Sequence, residues 1–313
     1  MLNKNHIIIV VILFSSFLFS SSNNFSNIPI QEFGRIKPLD TYARNQLLLI
    51  YGKDEIHEEN KTIQAIDWII NLLVNTEEEL KREIFYISSW SNSPEVEISL
   101  GLDTLNRKSH RYSFYEIIES FKNNIDLLEN LKLKQEQPTY VEQQIIDIYS
   151  KLVAYDEIAH SFKCLLPFLS INNNEIKKQL QLDNNEKVSY AFFVRNVQLF
   201  SPLMQELLDV EMTNWNIKQK ELNSIASELQ IRTQYEYAKS LKIIPSYDST
   251  SPWLSPWEIM DHKSITEDQK LLIGTLEKAL KEHLRLGDNS KDSSNIYIEE
   301  YKKLVSTKNI IIS

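Results

Sequence analysis

The sequence predicts a mainly α-helical protein: an irregular multi-helix domain or pair of domains with few short strands, following an N-terminal signal or anchor segment. Glycine is the first reason. Only Gly34, Gly52, Gly101, Gly274 and Gly287 occur in 313 residues, too few and too dispersed for turn-rich sheets or a phosphate-cradling loop. Helical periodicity is the second, with apolar residues recurring at three- and four-residue steps through most of the chain. The third is composition: 42% hydrophobic and 10% aromatic residues supply a real core and exclude wholesale disorder.

In chain order, Lys4 precedes an apolar run over residues 7–19 and the small residues Ser20, Ser21 and Ser22. Those are the parts of a secretory signal. The run is shorter than the roughly 18–20 residues that span a bilayer, so cleavage of residues 1–22 is expected, with a retained anchor as the alternative. Gly34 then permits a turn, Pro38 suits a first helical position, and Asp40 and Thr41 stand where side-chain acceptors meet orphan N–H groups. A helix over residues 39–51 follows, with Leu39, Ala43, Leu47 and Ile50 on its core face and Gly52 as its stop.

Further helices are expected over residues 62–74, 113–131 and 139–166, the last stopped by Pro167. Residues 202–244 read as one very long helix or two joined near Trp215. Residues 266–286, capped by Gly287, and 295–305 complete the set. Strands are expected only at 84–88 and 111–114. The turn clusters Asn172-Asn173-Asn174 and Asp183-Asn184-Asn185 place a seam between an N-terminal helical domain, 23–170, and a C-terminal one, 171–313, unless the two are continuous.

The net charge of −9 argues against nucleic acid, whose phosphates call for a basic surface. Cys164 is the sole cysteine, which rules out an internal disulfide and any Cys-x-x-Cys site; it reads as a small buried hydrophobe. His6, His57, His110, His160, His262 and His283 show no zinc spacing, and no Gly-x-Ser-x-Gly elbow is present. No catalytic residue is assigned, and a non-enzymatic role is expected. Ser109-His110-Arg111-Tyr112 sets an imidazole beside a guanidinium that suits a carboxylate such as a haem propionate. His110 is therefore a weak haem candidate beside the simpler reading of a loop histidine. Trp253 and Trp257, flanked by Pro252 and Pro256, form a rigid aromatic loop that either plugs its own core or presents an anchor to a partner.

Residues 28–44, Ile-Pro-Ile-Gln-Glu-Phe-Gly-Arg-Ile-Lys-Pro-Leu-Asp-Thr-Tyr-Ala-Arg, resemble the Gln-x-x-Gly-Arg-x-Lys-Pro-Leu/Phe-Asp/Asn-Thr segment that opens an extracytoplasmic domain in cytochrome c biogenesis proteins of the CcsA/ResB (System II) kind. A second block, residues 235–245 ending in Ile-Ile-Pro245 and then Ser251-Pro252-Trp253-Leu254-Ser255-Pro256, is similar to that family's helix, Pro stop and Trp-x-Ser-Pro loop. Weaker echoes lie at Trp68, Leu100-Gly101-Leu102 and Arg111-Tyr112-Ser113-Phe114. The family delivers haem to apocytochromes c outside the inner membrane. Its Trp-rich haem-handling loop and flanking histidines among transmembrane helices have no counterpart here. The resemblance therefore implies an exported accessory domain, periplasmic or on the outer face of the inner membrane. Such a domain would dock on an integral membrane cytochrome c biogenesis protein, with apocytochrome c a second expected partner and haem handled only through the complex. Its expected contact residues are Arg35, Lys37, Asp40, Arg44, Trp253 and Trp257, on a frame set by Gly34, Pro38, Pro245 and Pro252. The alternative function is a periplasmic binding or scaffold protein unrelated to haem.

Overall fold

A short 3-10 turn, Asn24–Asn27, leads into a hairpin. Strands β1 (Pro29–Glu32) and β2 (Arg35–Pro38) pair antiparallel, with Glu32 opposite Arg35 and Pro29 opposite Pro38. The two-residue loop, Phe33 and Gly34, has φ of 49° and 76°, the positive values that a tight hairpin turn of the primed kind demands. Helix α1 (Leu39–Tyr51) follows at once and is closed by Gly52, whose φ of 82° lets its N–H reach the Leu48 carbonyl at 3.1 Å. The computed structural model describes residues 24–58, 61–87, 94–104, 109–134, 136–183, 186–208, 210–246, 251–261, 265–286 and 291–306. Residues 1–23, with His6, and His262, Gly287 and residues 307–313 lie outside these, and with them the expected signal segment.

A second hairpin, β3 (Glu55–Glu58) with β4 (Lys61–Gln64), leads into α2 (Ala65–Val74) and the short α3 (Thr76–Glu79). Helix α2 is apolar on nearly every side and is buried accordingly, Trp68 and Ile69 completely. Strand β5 (Phe85–Tyr86) pairs with β6 (Arg111–Tyr112) across α4 (Glu95–Leu100). Helices α5 (Phe114–Asn123) and α6 (Ile125–Leu133) come next, and then α7 (Tyr140–His160). Reciprocal capping boxes start α5, from Ser113 and Glu116, and α7, from Thr139 and Glu142.

After α7 the chain builds a smaller, separate core. Strands β7 (Leu169–Ser170) and β8 (Lys187–Val188) enclose α8 (Asn174–Gln179), and α9 (Tyr190–Arg195), α10 (Val197–Leu208) and α11 (Ile217–Arg232) follow. Leu169, Ile176, Phe193, Leu203, Leu222 and Ile225 make this core. The chain then returns: Ala238, Leu241, Ile243, Trp253 and Trp257 join the same large core as Phe25, Leu39, Trp68 and Tyr155. With them come α12 (Pro256–Asp261), α13 (Glu267–Leu286) and α14 (Lys291–Ser306), the last two packed on each other. The cores thus do not divide at 170/171. That position marks the entrance to the smaller core, and the C-terminal third belongs to the first.

Mainly helical architecture with short two-stranded ladders is what the glycine count implied. Five local expectations need correction. Strands are not confined to 84–88 and 111–114: β1–β4, β7 and β8 lie outside them, and Ser113 and Phe114 cap and open α5 because the capping box ends β6 at Tyr112. Residues 62–64 are strand because they pair with 55–57. The helix over 113–131 is broken at Asn124, whose φ of −123° and ψ of 42° leave the helical region. The helix over 139–166 ends at His160, and residues 161–166 form turns. Of the two readings of residues 202–244, two helices meeting near Trp215 are found and one continuous helix is not, with shifted bounds: α10 starts earlier, at Val197, and α11 stops at Arg232. A short 3-10 turn follows over Thr233–Tyr235, a turn continues it through Tyr237, and beyond that the chain is non-helical to Pro245, with bridges at Lys242 and Ile244.

Candidate functional site

The two sequence blocks, about 200 residues apart, meet on one edge of the first hairpin. Gln31 donates its backbone N–H to the Lys242 carbonyl at 2.8 Å, and its side-chain oxygen accepts the Trp253 N–H at 2.7 Å. Ile244 and Leu254 exchange backbone bonds of 2.9 and 2.7 Å, which extends the ladder by a further segment. Extended chain, not helix, is what makes this possible, because only an extended segment offers its N–H and C=O groups to a strand edge. Ser255 and Pro256 then start α12 as cap and first residue, the Ser255 hydroxyl accepting the Glu258 N–H at 3.2 Å while the Glu258 carboxylate accepts the Ser255 N–H at 2.7 Å.

Charge pairing ties the edge together. Lys37 and Glu32 pair across the hairpin, Gln46 donates to the other Glu32 oxygen at 3.1 Å, and Lys242 pairs with Glu258. Arg44 bonds Asp40 at 2.9 Å and reaches Asp54 at 3.3 Å, and that engagement raises its pKa, the Asp40 hydrogen bond contributing most. Asp40 thus serves Arg44 and makes no side-chain cap to α1, whose cap position is Pro38, the last residue of β2. Lys37, Asp40 and Arg44 are all engaged with neighbours in their own motif. Arg35 is exposed at the tip.

The last turn of α7 underlies the same edge. Asp156 accepts the Tyr237 hydroxyl and lies 3.2 Å from Nδ1 of His160, a buried ring stacked on Tyr235 with centroids 4.6 Å apart. Burial opposes the Asp156 charge, yet hydrogen bonds from His160 and Tyr237 outweigh it and hold its pKa below the usual carboxylate value. Next to it, Glu157 is pushed up, by burial first and then by Asp156, with Lys242 opposing. The same forces raise the buried Tyr42 phenol, burial first and then Glu32 and Glu157. This is a polar seam in which Glu32, Asp156 and Glu258 have bonded partners, while Lys242 acts on Glu157 only at a distance.

Neither tryptophan is free to anchor a partner. Trp253 is 5% and Trp257 0% exposed, and the Trp257 indole donates to the His160 carbonyl at 3.1 Å. They plug the core, because the loop that holds them is drawn inward by the Ile244–Leu254 ladder. Pro245 is buried, with its carbonyl 3.4 Å from Gln269 Nε2, while Pro252 is exposed. His110 is half-exposed and bonds the buried Glu97 at 2.8 Å. The Arg111 guanidinium lies 3.6 Å from the Tyr51 ring centroid and donates to the Tyr51 carbonyl at 2.8 Å. His110 and Arg111 therefore do not converge on one ligand. Among the described residues no cluster of three or more His, Cys, Asp or Glu is placed to hold a metal ion, and no helix is long and apolar enough to cross a membrane.

What the sequence reading missed is Phe33. At the tip of the hairpin, with positive φ, its ring is 96% exposed, so a bulky aromatic occupies both a backbone region and a surface position that stability disfavours. Leu48 and Leu49 on α1 are exposed as well. A Phe-Gly pair between Ile30 and Ile36 was the available signal, since two-residue loops with Gly mark hairpins. Among family models, curated proteins and solved structures, nothing matches this chain.

Proposed function

We propose that this chain is an accessory extracytoplasmic subunit of cytochrome c maturation that docks on an integral membrane partner through the Phe33–Gly34–Arg35 tip. One observation carries the reading: the two blocks that resemble the haem-delivery family lie side by side, and the hairpin they stabilise ends in a fully exposed aromatic beside an exposed arginine. Exposed aromatic and arginine side chains are the residue types that dominate protein interfaces. Held by its neighbours' hydrogen bonds, the tip is preorganised and loses little freedom on binding. Lys37 braces the hairpin through Glu32, and Arg44 is engaged with Asp40 within α1 and with Asp54, so both charges are already paired. Haem is supplied by the membrane partner, and apocytochrome c meets the assembled complex.

Affinity purification of a tagged copy from detergent-solubilised membranes tests the docking. Recovery of a multi-span partner with the native chain, and its loss with Phe33→Ser, is expected. Equal recovery with both would remove the tip from the interface.

A second reading, a binding or scaffold protein unrelated to haem, is favoured by a groove of about 410 Å³ in the smaller core, lined by Phe200, Met204, Leu207, Leu208 and Trp215. That volume lies within the range of small-molecule sites. Quenching of Trp215 fluorescence by an apolar ligand, with docking absent, would favour it.

A further inference from the structure

Lys163 and Arg232 present an unmet demand for negative charge. Lys163 lies in the turns after α7 and Arg232 in the last turn of α11; the Lys163 ammonium lies 5.9 Å from the Tyr235 ring centroid, and the Arg232 guanidinium lies 4.0 Å from that of Phe168. Neither cation has a hydrogen-bond or ion-pair partner among the described residues, and Nε of Arg232 is buried with no acceptor. This is conspicuous in a chain with 43 acidic against 34 basic residues, where most other half-buried cations, Lys37, Arg82, Arg195 and Lys242 among them, have a carboxylate within bonding distance. Glu77 and Glu228 act on the pair only at a distance, and Glu77 is already engaged by the Tyr115 hydroxyl at 2.7 Å.

Aromatic faces and the helix C-terminus offset part of the cost of holding two cations together. They provide no acceptor for the guanidinium fork, whose planar donors match the two oxygens of a carboxylate or phosphate. Burial depresses both pKa values, and Arg232 lowers Lys163 further. An anion between them would reverse that direction.

We propose that Lys163 and Arg232 form a binding site for a doubly charged oxyanion, walled by Tyr235 and Phe168. The site stands apart from the hairpin tip and is independent of the docking reading. Its ligand chemistry is shared by a phosphate group and a pair of carboxylates, and the probes separate them.

Calorimetric titration of the full chain with inorganic phosphate, succinate and acetate, at matched ionic strength, is the test. Saturable binding of phosphate or succinate that exceeds acetate is expected, and which of the two binds more tightly identifies the source. Arg232→Gln should weaken it by about tenfold or more, the loss of one charge-assisted fork. Lys163→Met should do likewise while keeping the aliphatic stem, and Lys163→Arg should retain binding; near-UV circular dichroism checks that each variant is folded. No saturable binding of any probe, or binding that survives both Arg232→Gln and Lys163→Met, overturns the proposal.

Discussion

Replacing Gly34 isolates a backbone effect with almost no packing component. Its φ is +76°, and a Cβ built there meets nothing within 4 Å. Gly34→Val therefore creates no clash with the rest of the fold; its cost is that of placing a β-branched residue in the left-handed region, about 1–2 kcal/mol. Gly34→Asn, which tolerates that region, should lose only a few tenths of a kcal/mol. For a chain of this size a loss of 1 kcal/mol lowers the melting midpoint by roughly 2 °C, so Val and Asn should separate clearly in paired thermal melts, with Ala between them. Urea unfolding gives the same order through the midpoint, with an unchanged slope. Equal midpoints for the Val and Asn proteins would refute the reasoning, because they would mean that the tip adopts ordinary extended backbone.

Trp257→Ala should cost about 3–5 kcal/mol, since the side chain is fully buried and its indole N–H is bonded to His160; a variant that melts like the native chain would place this residue outside the core. Cys164 is completely buried, and burial pushes its thiol up, so a thiol reagent should label it only in denaturant. Lys134 first, and then the N–H and hydroxyl of Thr139, hold Glu142 down at about 2. With the folded value below the unfolded one, its stabilising contribution is present above the ordinary carboxylate range and is lost as pH falls through that value. Carboxyl NMR should show Glu142 titrating near 2, and Glu142→Gln should flatten the acid limb of a stability–pH curve.

Helix α1 was legible because Leu39, Ala43, Leu47 and Ile50 follow the helical repeat and Gly52 takes the left-handed stop. Residues 238–244 were not, and the reason is physical: Ala238, Leu241 and Ile244 fall at three-residue steps that imitate a helical stripe, whereas this segment pairs with Gln31 and Leu254, contacts that no local period records. Asn124 and Ser161 end helices without Gly or Pro, so their breaks leave little trace in the sequence. For the candidate site, the Gly34 turn and the motif blocks were visible, whereas their meeting through Gln31, Lys242 and Trp253 depends on contacts more than 200 residues apart. The burial of both tryptophans is a property of the same long-range ladder. Phe33 was hidden because an apolar residue in a strand-like segment is ordinarily core.

The most direct test of the central claim is covalent c-type haem in a strain that lacks this chain, complemented with native, Phe33→Ser or Gly34→Asn protein at equal expression. Maturation should fail in the deletion and return with the native chain and with Gly34→Asn. It should stay low with Phe33→Ser, a variant whose melting midpoint is unchanged or raised because the exposed ring contributes nothing to the core. Normal c-type haem in the deletion strain would contradict the account.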